Sequence, residues 1–301
     1  MRRAFLNRVN EMIEKEKDTV FFTVDIGMWA IKESMEKYPE RCKNVGIFED
    51  GMMSIAAGMA KAGLIPVIFG IQPYLIERAL EQIKLDLAYQ KFGANIIGTG
   101  ASIDYSKYGY SHYCAEDLHI IKAIPGCEFI APGTKKQFLQ LFNQTYRNNH
   151  PTFFRISDYP NKIYDPDVEF NKAVVIKEGK TATVIAVSVM LDNVMEACKD
   201  KDVTVLYYTT LEPFDYQTLS KYYNEGNILV VSPQFEGSLT FDVVKAFEGK
   251  PVNIREVSFK REIFRNYGTC EEKMNYYGLT KENIRLKLDK LTETKNGIIC
   301  R

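Results

Sequence analysis

The sequence predicts an α/β protein built from two parallel-sheet domains, and three observations carry that expectation. Short, β-favouring apolar runs alternate with helical patterns along most of the chain, as in a parallel sheet covered by helices on both faces. The alternation comes in two sets, separated by the polar, proline-containing stretch Ser157 to Lys172, SDYPNKIYDPDVEFNK. With 301 residues and 46% hydrophobic content, the chain can bury a substantial core.

The elements follow in order. From Arg2 to about Glu14, the residues Phe5, Val9, Met12 and Ile13 share one helical face. Thr19 to Val24 reads as strand, Met28 to Glu36 as helix, Val45 to Phe48 as strand and Met52 to Ala62 as helix. Ile65 to Phe69 is then strand, Leu75 to Phe92 a long amphipathic helix, Asn95 to Gly98 a short strand and Ala115 to Ala123 helix, before a β run ending at Arg155. These elements make up a first domain over residues 1–170. The second domain, residues 171–301, has strands at Thr181 to Val187, Val203 to Tyr208 and Ile228 to Ser232. Its helices are Asp192 to Lys199, Tyr216 to Tyr223, Ser238 to Phe247 and, closing the chain, Leu279 to Leu291.

Composition narrows the function classes. Lysine plus arginine, 39, equals aspartate plus glutamate, 39, so no basic excess points to nucleic acid or a lipid surface. No apolar stretch approaches the length of a membrane span, and the N-terminal MRRAFLNRVNEMIEKEKD reads as a charged amphipathic helix, so a cytoplasmic location is expected. Cys42, Cys114, Cys127, Cys198, Cys270 and Cys300 are scattered, with no C-x-x-C pair and no histidine at zinc spacing. They read as reduced thiols without a metal role, and only Cys114 lies near a candidate site.

That site begins at Glu49. In NVGIFEDGMMSIAAGMAKAG an apolar run precedes the acid, and a helix rich in Ala and Gly follows it. Strand-to-helix junctions of parallel sheets are where active residues gather, and Asp25, Glu49 and Ile71 all fall at expected strand ends. A carboxylate half buried in apolar surroundings has its pKa pushed upward and can exchange a proton near neutral pH. The plainer alternative is a first-turn acid favoured by the helix dipole. His112, in Tyr108-Gly-Tyr-Ser-His-Tyr113, lies in a Gly- and Tyr-rich loop and could shuttle a proton or steady an oxyanion. It could equally be a loop histidine bonded to backbone. His119 and His150 read as structural. Arg155, near the end of PTFFRIS, could clamp a phosphate or carboxylate, or form an ordinary ion pair.

The segment GIFEDGMMSIAAGMA resembles the "GI-x-E-x-x-M-x-x-x-AAG-x-A" block of the transketolase family, which includes deoxyxylulose-phosphate synthases and the beta subunits of 2-oxoacid dehydrogenases. The segment YGYSHYCAEDLHIIKAIPGCEFIAPG is similar to the family's histidine-containing loop, and VIFGIQPYLIER to the aromatic segment that lines the cofactor's pyrimidine. Thr210-Leu-Glu-Pro-Phe-Asp215 resembles a motif of the family's C-terminal domain. The resemblance spans nearly the whole chain and implies a pyrimidine-binding domain followed by a transketolase C-terminal-like domain.

It also implies roles. Glu49 would hydrogen-bond a ring nitrogen of thiamine diphosphate, with Ile26, Ile71 and Tyr74 lining the cofactor. His112, Asp25 and Arg155 would face substrate. Ile71 stands where the family carries the first of two aromatic rings, and Tyr108 stands where it carries an acid before the histidine. The "G-D-G" and downstream asparagine that hold magnesium in this family have no counterpart; Asp50-Gly51 comes closest. The resemblance therefore implies a C-terminal subunit of a split transketolase-like enzyme that binds the pyrimidine half of thiamine diphosphate. A partner subunit would hold the diphosphate and Mg2+, in a heterodimer or heterotetramer. A 2-oxoacid dehydrogenase beta subunit, a deoxyxylulose-phosphate-synthase-like enzyme and a non-catalytic relative are the alternatives.

Overall fold

The computed structural model of the protein describes residues 1–293. Its first half contains strands β1 (Thr19–Thr23), β2 (Cys42–Asn44), β3 (Ile65–Ile71), β4 (Ala94–Thr99), β5 (Glu128–Ile130) and β6 (Pro151–Ile156). Around them lie helices α1 (Arg2–Lys15), α2 (Met28–Lys37), α3 (Glu49–Lys61), α4 (Leu80–Gln82), α5 (Asp117–Lys122) and α6 (Lys135–Thr145). The second half supplies β7 (Val174–Lys177), β8 (Thr183–Val187), β9 (Thr204–Tyr208), β10 (Thr210–Glu212), β11 (Asn227–Phe235) and β12 (Asn253–Phe259). Its helices are α7 (Leu191–Ala197), α8 (Tyr216–Ser220), α9 (Thr240–Ala246), α10 (Cys270–Tyr276) and α11 (Lys281–Glu293).

The strands form two sheets. The seven-stranded sheet runs β10, β5, β6, β4, β3, β1, β2, and the five-stranded sheet runs β12, β11, β8, β9, β7. Every pairing is parallel except β10 on β5 and β7 on β9, each at a sheet edge. The two-sheet α/β architecture expected from the sequence is present. Alternate residues build its two core layers, because successive side chains on a strand point to opposite faces. Phe21, Val67, Phe69, Ile97 and Phe154 pack under α1 and α6 with Phe5, Val9, Phe138 and Phe142. Phe22, Ile68, Ile96 and Phe153 pack on the other face with Met52, Met53, Ala56 and Leu75. Both faces are apolar, so these strands read as continuous hydrophobic runs.

Several elements depart from the sequence reading. The strand expected at Val45 to Phe48 lies earlier, at Cys42–Asn44. At this sheet edge the ladder ends with the Val45 N–H donating to the Thr23 carbonyl at 3.0 Å, and Gly46 then turns the chain away with φ of 75°. Ile47 and Phe48 are consequently exposed. The helix expected over Leu75 to Phe92 is broken into π-helical turns at Tyr74–Arg78 and Ile83–Ala88 around α4, with Ala79 outside helical geometry between them. Strands β5, β7, β10 and β12 and helices α6 and α10 add to the elements expected. The segment between β6 and β7 has no regular structure, yet it is fixed in place: the Asp192 carboxylate accepts from the backbone N–H groups of Lys162, Ile163 and Tyr164. Strand β10 crosses the expected division of the chain, since Thr210–Glu212 lies after that segment but completes the first sheet.

A buried arginine, paired with an acid of its own half, reaches across to the second half. Arg155 is 1% exposed and its Nε donates to Asp117 Oδ2 at 2.6 Å, while Asp117 itself is fully buried. The Arg155 Nη2 donates to the Pro233 carbonyl of β11 at 2.8 Å and also reaches Ser102 Oγ. Nearby, the Phe235 N–H donates to the Ala115 carbonyl at 2.8 Å. Removing one member of a buried ion pair leaves an uncompensated charge, which typically costs ~3–5 kcal/mol. Arg155→Ala is therefore expected to destabilise the chain by about that amount in chemical denaturation. A loss under about 1 kcal/mol would show that the arginine does not hold this junction of the halves.

Candidate active site

The carboxyl ends of β1 and β3 and the start of α3 bring most of the singled-out residues close together. Glu49 is the first residue of α3 and only 2% exposed. The helix reaches this position because Gly51 carries no side chain: a Cβ there would collide with the Phe48 ring, which folds over the first turn. Further along, Met52, Met53, Ala56 and Ala57 bury the inner face of α3 against Val20, Phe22, Val24 and Ile68. Small residues let the helix lie close to the sheet, and this carries its first carboxylate into the protein.

Among the described residues, the buried carboxylate has one ionic partner. Arg78 Nη1 donates to Glu49 Oε2 at 2.5 Å, and the Arg78 side chain is 42% exposed. Its guanidinium carbon lies 4.5 Å from the centroid of Tyr74, a cation–π contact within the π-helical turn that carries both residues. Tyr74 then meets His112 edge-on with ring centroids 5.4 Å apart, its hydroxyl 3.4 Å from Nδ1 and 3.3 Å from Nε2. The exposed Tyr108 ring lies 5.0 Å from that of His112, and Ser111 Oγ is 3.1 Å from Nδ1. Glu49, Arg78, Tyr74, His112 and Tyr108 thus form one continuous chain of contacts. Partial burial pushes the His112 pKa below its ordinary 6.5, so a neutral imidazole is available at neutral pH.

Other expected residues stand around this group. Asp25, just past β1, is exposed with φ of 53° and is fixed by Asn44, whose Nδ2 donates to Asp25 Oδ1 at 2.7 Å. Ile26 is half-buried, packs against both core layers and accepts from Thr23 Oγ1 through its carbonyl at 2.7 Å. Ile71 ends β3 half-buried, three residues before Tyr74. Arg155, expected to face substrate, is 1% exposed: its Nε and Nη2 donate to Asp117, Ser102 and Pro233, and it lines a cavity with Ala101, Asp104, Ser157 and Tyr159. His119 and His150 lie apart from the Glu49 group. His119 Nδ1 is buried without a partner, and His150 Nδ1 lies 3.4 Å from the Gly126 carbonyl.

Sequence reasoning missed Arg78, although Tyr74 and Arg78, four residues apart in one helical segment, are spaced to touch. It also missed Glu77 and Glu116, which flank Cys114 with ligand atoms within 4.8 Å of one another. Glu77 is exposed overall, but partial burial of its carboxyl group, with repulsion from Glu116 added, pushes it up to about 7, and Glu116 is raised by burial too. Burial also drives the Cys114 thiol well up, which makes it inert rather than nucleophilic. Cys42, Cys127, Cys198 and Cys270 are likewise buried and free, and Cys300 lies outside the described residues. Among the described residues, the Glu77, Cys114 and Glu116 group is the one cluster of ligating side chains close enough to share a cation. A set that includes a thiol does not suit Mg2+, which demands octahedral oxygen ligation. The apolar walls, the aromatic Tyr74 and the sheltered Glu49 acceptor do suit a flat aminopyrimidine.

Two titrations test these electrostatics. The folded-state pKa of His112 is depressed, so its neutral form contributes stability present above 6.5 and lost as pH falls through the lower folded value. Histidine NMR is expected to give a His112 midpoint below 6.5, and one at or above it would contradict the burial argument. For Glu77 the folded value is raised, so stability present below 4.5 is lost as pH rises through about 7. Glu77→Gln should then raise the melting temperature relative to the parent chain at pH 8 but not at pH 4.

Comparison with known proteins adds a second line of observation. Residues 1–159 match the family described as "Transketolase, pyrimidine binding domain". The chain is 31% identical to an uncharacterised 33.6 kDa protein in the fasciation locus of Rhodococcoides fascians, over 93% of this chain and 91% of that one. It is 26% identical to one of the apulose-4-phosphate transketolase subunits of Phocaeicola vulgatus, over 94% of each. Among solved structures it resembles a split gene transketolase, described as an inactive beta4 tetramer, with a TM-score of 0.86 at 24% identity, covering 98% of this chain and 99% of that one. No helix among the described residues is long and apolar enough to cross a membrane.

Proposed function

The chain belongs to the transketolase family, as a C-terminal-type section bearing the pyrimidine-binding domain, and from that premise we propose that it is the smaller subunit of a split, thiamine diphosphate-dependent transketolase-like enzyme of the cytoplasm. It transfers a two-carbon ketol unit between sugar or sugar phosphate substrates. In this reading residues 1–170 bind the pyrimidine half of the cofactor, and residues 171–301 form the C-terminal-like domain. A partner subunit supplies the diphosphate and Mg2+ site in a heterodimer or heterotetramer. The likeness in length and sequence to a relative named as one subunit of a transketolase supports this division of labour.

One observation carries the proposal: a carboxylate 2% exposed lies in contact with an arginine stacked on an aromatic ring, and that ring touches the loop histidine. Glu49 would hydrogen-bond a ring nitrogen of the aminopyrimidine, with Tyr74, Ile71 and Ile26 forming its apolar surroundings. When bound, the cofactor supplies an acidic carbon that serves as the carrier of the two-carbon unit. His112, neutral through its depressed pKa, accepts a proton from a substrate hydroxyl and returns it later in the cycle. Asp25, held by Asn44 at the end of β1, orients another substrate hydroxyl. Tyr108 and Tyr105 flank the imidazole and narrow the positions it can take.

Reconstitution with the partner subunit tests the assignment. Glu49→Ala is expected to lower cofactor-dependent ketol transfer by at least about 100-fold, and His112→Asn by roughly 100-fold or more. Near-normal turnover of Glu49→Ala would remove it from the mechanism. Release of carbon dioxide without transfer to an acceptor aldehyde would move the enzyme to the decarboxylating branch.

A further inference from the structure

We propose that Arg78 is the positioning residue for Glu49, fixing one carboxylate oxygen and supplying the countercharge that lets the acid work inside an apolar wall. The assignment rests on the functional reading above and deepens it. Glu49 is almost fully enclosed, and Arg78 is its one salt-bridge partner among the described residues. The Arg78 Nη1 takes Oε2 at 2.5 Å, which leaves Oε1 as the oxygen turned to a hydrogen bond with a ring nitrogen. An isolated buried carboxylate is strongly disfavoured, whereas one held by a guanidinium remains an anionic acceptor of defined orientation.

The guanidinium is itself fixed by an aromatic face. Its carbon stands 4.5 Å from the Tyr74 centroid, and Tyr74 and Arg78 are the first and last residues of the same π-helical turn. Such turns often occur at functional sites because an added residue re-aims the side chains around it. With one face of Tyr74 covered by Arg78 and its hydroxyl beside His112, only the opposite face is left for a flat heterocycle. Arg78 therefore decides two things at once: which carboxylate oxygen is presented, and on which side of the tyrosine a pyrimidine can lie.

The test has one arm without cofactor and one with it. For the chain alone, melting temperatures are measured for the parent, Glu49→Gln, Arg78→Met, Arg78→Lys and the Glu49→Gln/Arg78→Met double variant. Loss of Arg78 leaves the buried Glu49 without its countercharge, so Arg78→Met should melt below the parent. Neutralising the acid as well, in the double variant, should recover most of that loss, and Arg78→Lys should recover part of it. A loss in Arg78→Met that survives undiminished in the double variant would overturn the pairing and mark Arg78 as ordinary packing. In the reconstituted complex, Arg78→Met should raise the thiamine diphosphate concentration for half-maximal activity by roughly tenfold or more, the worth of a lost charge-assisted contact. Parent-like cofactor dependence in Arg78→Met would overturn the positioning role while leaving the proposed function standing. Absence of any thiamine diphosphate dependence in the parent complex would overturn both.

Discussion

The arrangement of this site depends on how a negative charge is kept inside the protein. Water is the best solvent for a carboxylate, and withdrawing one from it is costly unless another charge comes along. Glu49 is withdrawn because α3 must lie flat on the sheet through its Ala and Met face, which drives the first turn inward. Arg78 meets it from the neighbouring π-helical turn and keeps its own outer side in solvent. The pair is thus half dry and half wet, with the acid on the inside and the base at the rim. Tyr74 and His112 follow from that geometry, since the ring that supports the guanidinium also touches the imidazole.

Much of this can be read from the sequence. The double alternation of strands and helices declares the architecture, and Glu49, Tyr74 and His112 stand out in it without any knowledge of their proximity. Side-chain periodicity reports which face a residue takes, however, and not what waits there. Arg78 falls inside a recognisable segment yet looks like any surface arginine, because its partner lies 29 residues earlier in sequence. Edge strands β7 and β10 are four and three residues long, too short for a pattern of two to stand out. The extra residues of the π turns are invisible for a similar reason, since the apolar spacing of Leu75, Ile76, Ala79 and Ile83 still satisfies an ordinary helix.

Arg155 shows what the sequence leaves unsaid. A guanidinium near the end of a parallel strand looks like an anion site, and its position on β6 already pairs it with Asp117 at the start of α5. The same arginine joins the two sheets at this point: it belongs to the first sheet, its acid to the covering helix and the accepting Pro233 carbonyl to the second. Since Ala115 also accepts from Phe235, the chain just after His112 is anchored on the far half. The second half therefore bears on the position of the histidine loop, although none of its described side chains joins the Glu49 group.

Strand β10 gives the covalent order of the chain a further meaning. By lying antiparallel along β5, it covers backbone donors and acceptors that would otherwise form an open ladder. A fragment ending before residue 171 would carry that raw border into solution, where a border of another molecule could add to it. The two halves are consequently not interchangeable modules: the later one supplies the selvedge that keeps the earlier one from being woven into its neighbours.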